Sequence, residues 1–376
     1  MRWLQQSQAK PLAGHDKFRG TSCQAGGQML YSGIGWSADG FTVDVIDENG
    51  ERQQPVRLFG ARDTQELVGY LQGFENALVA VVDSTNGVLD GRMMAGGLTV
   101  YRADPQLLGV RPDFGSVPAV DVAAAARRGL GALSRLQRDR GTQTGREDDL
   151  AAFARTSEQT LGEWTRRGTC ASRGSGERRE VSLTFDDGPQ PPYTGQVLDI
   201  LRRYGVKATF FCTGMYAKAY PEYLARMREE GHGVANHTWS HPILFELTRP
   251  QLDEQLERTN EAIAEATGGP APALFRPPYG SRSPEVLGWL AESGLTTVLW
   301  DVAPDDWQMP GADTIATRAV QEARPGSIVL LHDAGGDRSQ TAAALAPTIE
   351  GLLERSFTFV PVEQQLAAPA LTGWVG

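Results

Sequence analysis

The chain has 376 residues, a formal net charge of −10, and 40% apolar and 22% charged side chains. That length exceeds what one hydrophobic core organises and implies two domains. The composition excludes three classes: there is no basic surplus for a nucleic-acid binder, no run near eighteen apolar residues for a membrane-spanning helix, and no disulfide framework, since Cys23, Cys170 and Cys212 are odd in number and scattered.

In chain order, the first twenty residues are polar and lack the apolar stretch of a secretory signal, so the sequence reads as cytoplasmic. Leu30–Trp36 and Phe41–Ile46 read as strands, with a turn at Asp47-Glu48-Asn49-Gly50 and a third strand over Gln53–Phe59. A helix near 63–72 precedes a fourth strand, Ala77–Val82, and Val100–Pro105 continues the pattern. This β-β-β-α-β order resembles the ribonuclease H fold, and its details resemble the N-terminal domain of DEDD-type transposases. In that family a Gly-Ile-Asp opens the first strand and an acid ends the fourth. Here Gly33-Ile34-Gly35 lacks the Asp, while Asp83 stands at the fourth strand's end. A two-metal nuclease needs clustered carboxylates. The role expected of this half is therefore structural, substrate-covering or dimer-forming, with any oligomer built through it.

Val120–Gln137 and Glu147–Arg167 read as helices, the first weakened by Gly129 and Gly131, with a polar loop over 138–145 between them. Residues 167–179 are rich in Gly, Ser and Arg and read as a linker. The expected division is an α+β domain over 1–170 and a second domain over 171–376. Residues 1–175 carry 20 Lys/Arg against 20 Asp/Glu, and the remainder 16 against 26, so the acidity belongs to the second half. It argues against a strongly anionic substrate.

The second half alternates strand and helix signals. Apolar runs near 181–185, 207–212, 233–236, 273–276, 296–300, 327–331 and 357–360 read as strands. Amphipathic stretches near 194–204, 220–230, 249–266, 284–293, 312–323 and 341–354 read as helices, with Thr248 a candidate cap. Such alternation implies a parallel sheet with outer helices. The run Val181–Phe185 delivers two acids, Asp186 and Asp187, to a Gly-Pro turn at its C-terminal end. Successive strand residues face opposite ways, so one acid can bind a metal while the other moves a proton. Fifty residues on, His237 and His241 are spaced to share one face of a helical turn. The chain has only five histidines, four of them after residue 230. Two His plus a carboxylate with an open position suits catalytic zinc, and also iron, cobalt or nickel.

Five segments in order resemble the motifs of the NodB-type polysaccharide deacetylases, carbohydrate esterase family four. They are Thr184-Phe185-Asp186-Asp187-Gly188, His237-Thr238-Trp239-Ser240-His241, Arg276-Pro277-Pro278-Tyr279-Gly280, a degraded Ala303-Pro304-Asp305-Asp306-Trp307, and Leu330-Leu331-His332. The resemblance covers residues 178 to 366 and implies an α/β fold, a distorted (β/α) barrel of seven strands. It implies that Asp187, His237 and His241 bind one divalent ion, Zn2+ or alternatively Co2+ or Ni2+. It also implies that Asp186 is the general base, that Arg276 pairs with it, and that His332 is the general acid. It further implies that Pro278 stiffens a loop aiming the Tyr279 N–H at the oxyanion, that Leu330 lines an acetyl pocket and that Trp307 supplies a wall. Trp239 is expected to pack.

Ala303 stands where the family's fourth motif opens with an Asp that tunes the acid His. Asp301 and Asp305 lie nearby, and strand alternation does not decide which faces the site. The expected function is a metal-dependent deacetylase of an N-acetylated sugar or related small molecule. A C–N hydrolase of a non-carbohydrate amide and a metal-binding pseudoenzyme are the alternatives. No nucleic-acid or membrane partner is expected.

Overall fold

The computed structural model of the chain describes residues 28–136 and 147–367. Cys23 and the polar loop over 138–145 lie outside the described residues. Two sheets organise what is described. In the first, β1 (Leu30–Ser37) and β2 (Gly40–Asp47) form an antiparallel hairpin closed at Gly40, whose φ is +134°. β3 (Arg57–Gly60) extends it. This strand starts later than the sequence suggests, because Pro55 has no amide to give a ladder. After α1 (Thr64–Gln72), β4 (Leu78–Asp83) returns parallel to β1. α2 (Asp90–Ala95) leads to β5 (Thr99–Ala103), parallel to β4. The expected β-β-β-α-β order is present.

The helix expected over 120–137 is shorter. α3 (Ala119–Arg128) ends at Gly129, where φ is +157°, and the chain then adds β6 (Ser134–Arg135) antiparallel to β5. The strand order is β3-β2-β1-β4-β5-β6. α3 lies so close on β1 that a Cβ on Gly33 would stand 1.8 Å from the Ala119 carbonyl oxygen, and the segment before α3 puts Ser116 Oγ 2.7 Å from where a Cβ on Gly35 would stand. An aspartate at Gly35, which a nuclease would carry there, would first have to displace the Ser116 hydroxyl. Asp83, at the end of β4, is buried and accepts hydrogen bonds from the Thr85 N–H and hydroxyl. It shapes a turn.

The second sheet begins inside the stretch that reads as a linker. After α4 (Glu147–Arg166), β7 (Cys170–Ala171) pairs with the barrel strand at Thr297 and Val298, so 167–179 is partly structured. Then follow β8 (Glu180–Asp186), α5 (Tyr193–Tyr204), β9 (Thr209–Cys212), α6 (Gly214–Ala219), α7 (Pro221–Glu229), β10 (Gly233–Asn236), α8 (Arg249–Thr267) and β11 (Leu274–Phe275). α9 (Pro284–Glu292), β12 (Thr296–Val298), α10 (Ala312–Glu322), β13 (Ser327–His332), α11 (Ser339–Glu354), β14 (Thr358–Phe359) and α12 (Val362–Leu366) complete it. The order is β13-β8-β9-β10-β11-β12-β7, with β14 beside β8 and every pairing parallel. Bridges Val302–Val329 and Arg173–Ser327 draw the two edges together. This is the expected distorted (β/α)7 barrel. All seven residues of β8 are buried, which is why that strand reads as a nearly continuous apolar run. Thr248 caps α8, its N–H donating to Gln251 Oε1 at 3.0 Å.

The two sheets share one apolar cluster. Val88, Leu89 and Met93, from the segment joining β4 to α2 and from α2 itself, belong to the same cluster as Met215, Tyr216 and Trp239 of the barrel. Trp239 packs edge-on against Phe114 with ring centroids 5.5 Å apart, the packing role expected of it. Gly33→Ala is expected to cost about 1–3 kcal/mol by overpacking α3 on β1, seen as a lower Tm; an unchanged Tm contradicts the packing described.

Candidate active site

The proposed catalytic groups gather at the C-terminal ends of the barrel strands, where barrel folds build their sites. Asp186 is the last residue of β8, and the parallel register of β13 sets His332 directly beside it. Asp187 leaves the strand with φ +77°. The segment from His237 to His241 follows β10 as an irregular loop and not as the helical turn its spacing suggests. Thr238 (φ +66°) and His241 (φ +60°) take left-handed backbone, and this brings the two imidazole centroids to 5.0 Å. Tyr279 is left-handed too, at φ +57°. Four non-glycine residues in this conformation within one site is a costly arrangement that only a well-determined surrounding structure maintains.

Asp187 Oδ1 lies 3.1 Å from His241 Nε2 and 3.5 Å from His237 Nε2. The three ligand atoms fall within 4.8 Å of one another, and all three residues are buried. His237 Nδ1 stands 2.7 Å from the Arg276 carbonyl oxygen. A carbonyl only accepts, so Nδ1 carries the proton and the Nε2 lone pair faces Asp187. Asp187 Oδ1 is buried and receives no hydrogen bond of suitable geometry, despite the nearness of His241. Two imidazole nitrogens and an orphaned carboxylate oxygen, converging without donors between them, fit a divalent cation. The electrostatics agree. Burial opposes ionisation of Asp187, yet His241 and His237 hold its carboxyl well below the usual range. Burial pushes the His241 imidazole down, against the pull of Asp187. Both shifts favour the deprotonated forms that a metal requires.

Arg276 is fully buried beside this cluster. Its Nη1 donates to Asp186 Oδ1 at 2.7 Å and to Thr184 Oγ1 at 2.8 Å, while Nε and Nη2 donate to the carbonyls of Val298 and Leu299. Its ring-like plane rests 4.0 Å from the Phe211 centroid. Asp186 is thus oriented by one oxygen, and its other, Oδ2, stands 3.7 Å from His237 Nε2. Thr184 was readable in principle, since strand alternation puts it on the same face as Asp186.

The acid that tunes His332 is neither Asp301 nor Asp305. Asp301 binds Ser327 and the Ile328 N–H, and Asp305 pairs with Arg318. Asp306 takes the role, with Oδ1 2.8 Å from His332 Nδ1 and Oδ2 accepting from the His332 N–H at 2.8 Å. The left-handed Asp305 (φ +58°) turns the chain so that the next residue faces the site, which strand alternation does not foresee. Ala303 therefore leaves no gap. Burial opposes the imidazolium, but Asp306 raises the His332 pKa. Asp333, to which the sequence reading assigns nothing, is buried next to the site and accepts from Thr194. Burial, with Asp187 and Asp186 adding, raises its carboxyl to about 7. His232 sits at the opposite end of β10, accepts from the Ala208 N–H, and is a core residue.

Pro278 is buried, Leu330 lies two residues before His332 on the same face of β13, and Trp307 is half-buried directly after Asp306. The unforeseen wall comes from the first sheet. The Gly87 N–H donates to the Ser240 carbonyl at 3.0 Å, the Ser240 hydroxyl to the Thr85 carbonyl, and Tyr216 OH to the Val88 carbonyl at 3.1 Å. Gly87 and Val88 line, with Asp187, Thr213, Tyr216, His241 and Gly335, a cavity of about 10 Å3. That holds roughly one water-sized species.

Two outcomes follow from this geometry. Asp306→Asn removes the charge that raises His332, so a general-acid limb of the pH–rate profile shifts to lower pH; an unmoved limb means the pair does not tune the acid. A Cβ on Gly87 would stand 2.3 Å from the His241 carbonyl oxygen and 2.8 Å from its Nδ1. Gly87→Ala is therefore expected to weaken metal affinity by about tenfold or more, as perturbed support of a ligand does, measured by competition with a chelator.

The second half of the chain is similar to known proteins. Residues 173–298 match the polysaccharide deacetylase family model. A chitooligosaccharide deacetylase of Sinorhizobium fredii is 44% identical over 187 residues, 47% of this chain and 87% of that protein. A peptidoglycan-N-acetylglucosamine deacetylase of Bacillus cereus is 39% identical over 188 residues, 50% of this chain and 87% of that protein. Among solved structures, a peptidoglycan N-acetylglucosamine deacetylase in complex with 4-naphthalen-1-yl-N-oxidanyl-benzamide superposes with a TM-score of 0.53 at 35% identity, covering 55% of this chain and 96% of that one. The chain belongs, through its second half, to the polysaccharide deacetylase family.

Proposed function

We propose that the chain hydrolyses the acetamide C–N bond of an N-acetylated sugar, of the kind its chitooligosaccharide and peptidoglycan relatives are named for, with one divalent ion held by Asp187, His237 and His241. The carrying observation is the flanking of that cluster by two ionisable groups that are not its ligands, on neighbouring strand ends: Asp186, held by Arg276, and His332, held by Asp306. The two-nitrogen, one-oxygen donor set favours Zn2+, with Co2+ and Ni2+ as alternatives. The bound ion supplies Lewis-acid activation of the water and the amide carbonyl.

The residues divide the remaining work. Asp186, oriented by the Arg276 guanidinium, takes a proton from the attacking water. The Tyr279 N–H is available to the developing oxyanion. His332, whose protonated form Asp306 favours, gives its proton to the departing nitrogen, so that water and acetamide become acetate and a free amine. A binding module would need neither of these groups. A small non-carbohydrate amide is the second reading, favoured by the tight cavity under Gly87 and Val88.

Acetate release by zinc-loaded protein from N-acetylglucosamine compounds and from simple amides tests the proposal and separates the two readings. Chelation is expected to abolish release and added Zn2+ to restore it. Asp186→Asn is expected to lower turnover by about 10²–10⁴-fold with the metal content unchanged; full activity in that variant rejects Asp186 as the base.

A further inference from the structure

Arg102 lies on β5 of the first sheet, yet its side chain reaches the barrel. It is fully buried and ion-paired with the equally buried Asp90. Its Nη2 donates to Tyr279 OH at 2.9 Å, and the guanidinium carbon is 5.5 Å from the Tyr279 ring centroid. Tyr279 in turn sets its ring edge-on against His241, with centroids 4.4 Å apart. A Cβ on Gly87 would stand 2.5 Å from Tyr279 OH, so the phenol is enclosed between Arg102 and the Gly87 backbone.

We propose that Arg102 is a positioning residue: it fixes Tyr279, and through it the loop beside His241, so that the N-terminal domain completes the active site in cis. The inference rests on the deacetylase reading above. Its physical basis is what the ion pair leaves undone. Arg102 Nε and Nη1 and Asp90 Oδ1 are buried without hydrogen-bond partners. Such a pair is a poor stabiliser, and apolar residues of similar size would serve folding as well or better. What apolar residues lack is a directed donor for the Tyr279 hydroxyl. Tyr279 needs one, because its left-handed backbone (φ +57°, ψ +11°) is maintained only by its surroundings.

The test is a cycle in the full-length, zinc-loaded chain with N,N′-diacetylchitobiose as the probe and kcat and KM expressed per metal-loaded molecule. One arm replaces the pair by apolar residues, Asp90→Leu with Arg102→Met; the other is Tyr279→Phe, which removes only the hydroxyl; the third combines them. The expected result is a kcat lower by about tenfold with KM within about twofold in each arm, and no further loss in the combination. A merely structural role for the pair would not be absorbed by Tyr279→Phe. Wild-type kcat in the apolar-pair variant, or losses that multiply in the combination, overturns the proposal. Should the apolar-pair variant not fold, Tyr279→Phe decides alone: a tenfold loss supports the proposal, and wild-type kcat overturns it. A wild-type chain that releases no acetate from any acetamide removes the deacetylase reading itself, a different failure from active protein with indifferent variants.

Discussion

The site depends on one buried guanidinium. Arg276 uses Nη1 on Asp186 and Thr184, spends its other nitrogens on the carbonyls of Val298 and Leu299, and accepts His237 Nδ1 at its own carbonyl. Burying a charge is expensive unless every direction around it is satisfied. Here each nitrogen has a partner, from β8 and the end of β12, and the Arg276 carbonyl meets the loop after β10. The same residue therefore orients the proposed base, sets the tautomer of a metal ligand and ties the rim of the barrel together. Burial lowers the affinity of Arg276 for its proton, and Asp186 opposes that loss.

Around that pair the electrostatics separate the carboxylates by role. Asp187, facing two imidazoles, is held well below the usual range, whereas Asp333, raised by burial and by the neighbouring Asp187 and Asp186 against the hydrogen bond from Thr194, reaches about 7. Asp306 and His332 shift in opposite directions, the carboxyl down and the imidazole up, each against the effect of burial. Environments that push neighbouring groups apart in this way are how one fold performs acid and base chemistry at one pH. The N-terminal half adds enclosure. Its segment after β4 lies over the cluster, and a cavity of about 10 Å3 remains beneath it.

Much of this was legible in the sequence where short-range pattern carries it. The parallel barrel follows from alternating apolar runs and amphipathic stretches, and the Asp187, His237 and His241 cluster from acids and histidines placed just past strand ends. Three features were not. The loop from His237 to His241 reads as helix because spacing is blind to the left-handed backbone at Thr238 and His241 that brings the rings together. Asp306 was hidden for the same reason, behind the left-handed Asp305. The contacts of Gly87 and Arg102 join residues far apart in sequence, and no periodicity encodes a contact between two sheets. The glycines of Gly33-Ile34-Gly35 are the converse case. They read as a departure from a nuclease pattern, and the structure gives the reason in the closeness of α3 and the segment before it to β1.

The account stands on a cation bound between Asp187 Oδ1, His237 Nε2 and His241 Nε2. Crystals of the full-length chain grown with Zn2+ and measured on both sides of the zinc absorption edge test this directly. One anomalous peak within bonding distance of all three atoms, with Asp186 outside the coordination sphere, is the predicted result. No peak there, or a peak bound by Asp186 and not by Asp187, contradicts it.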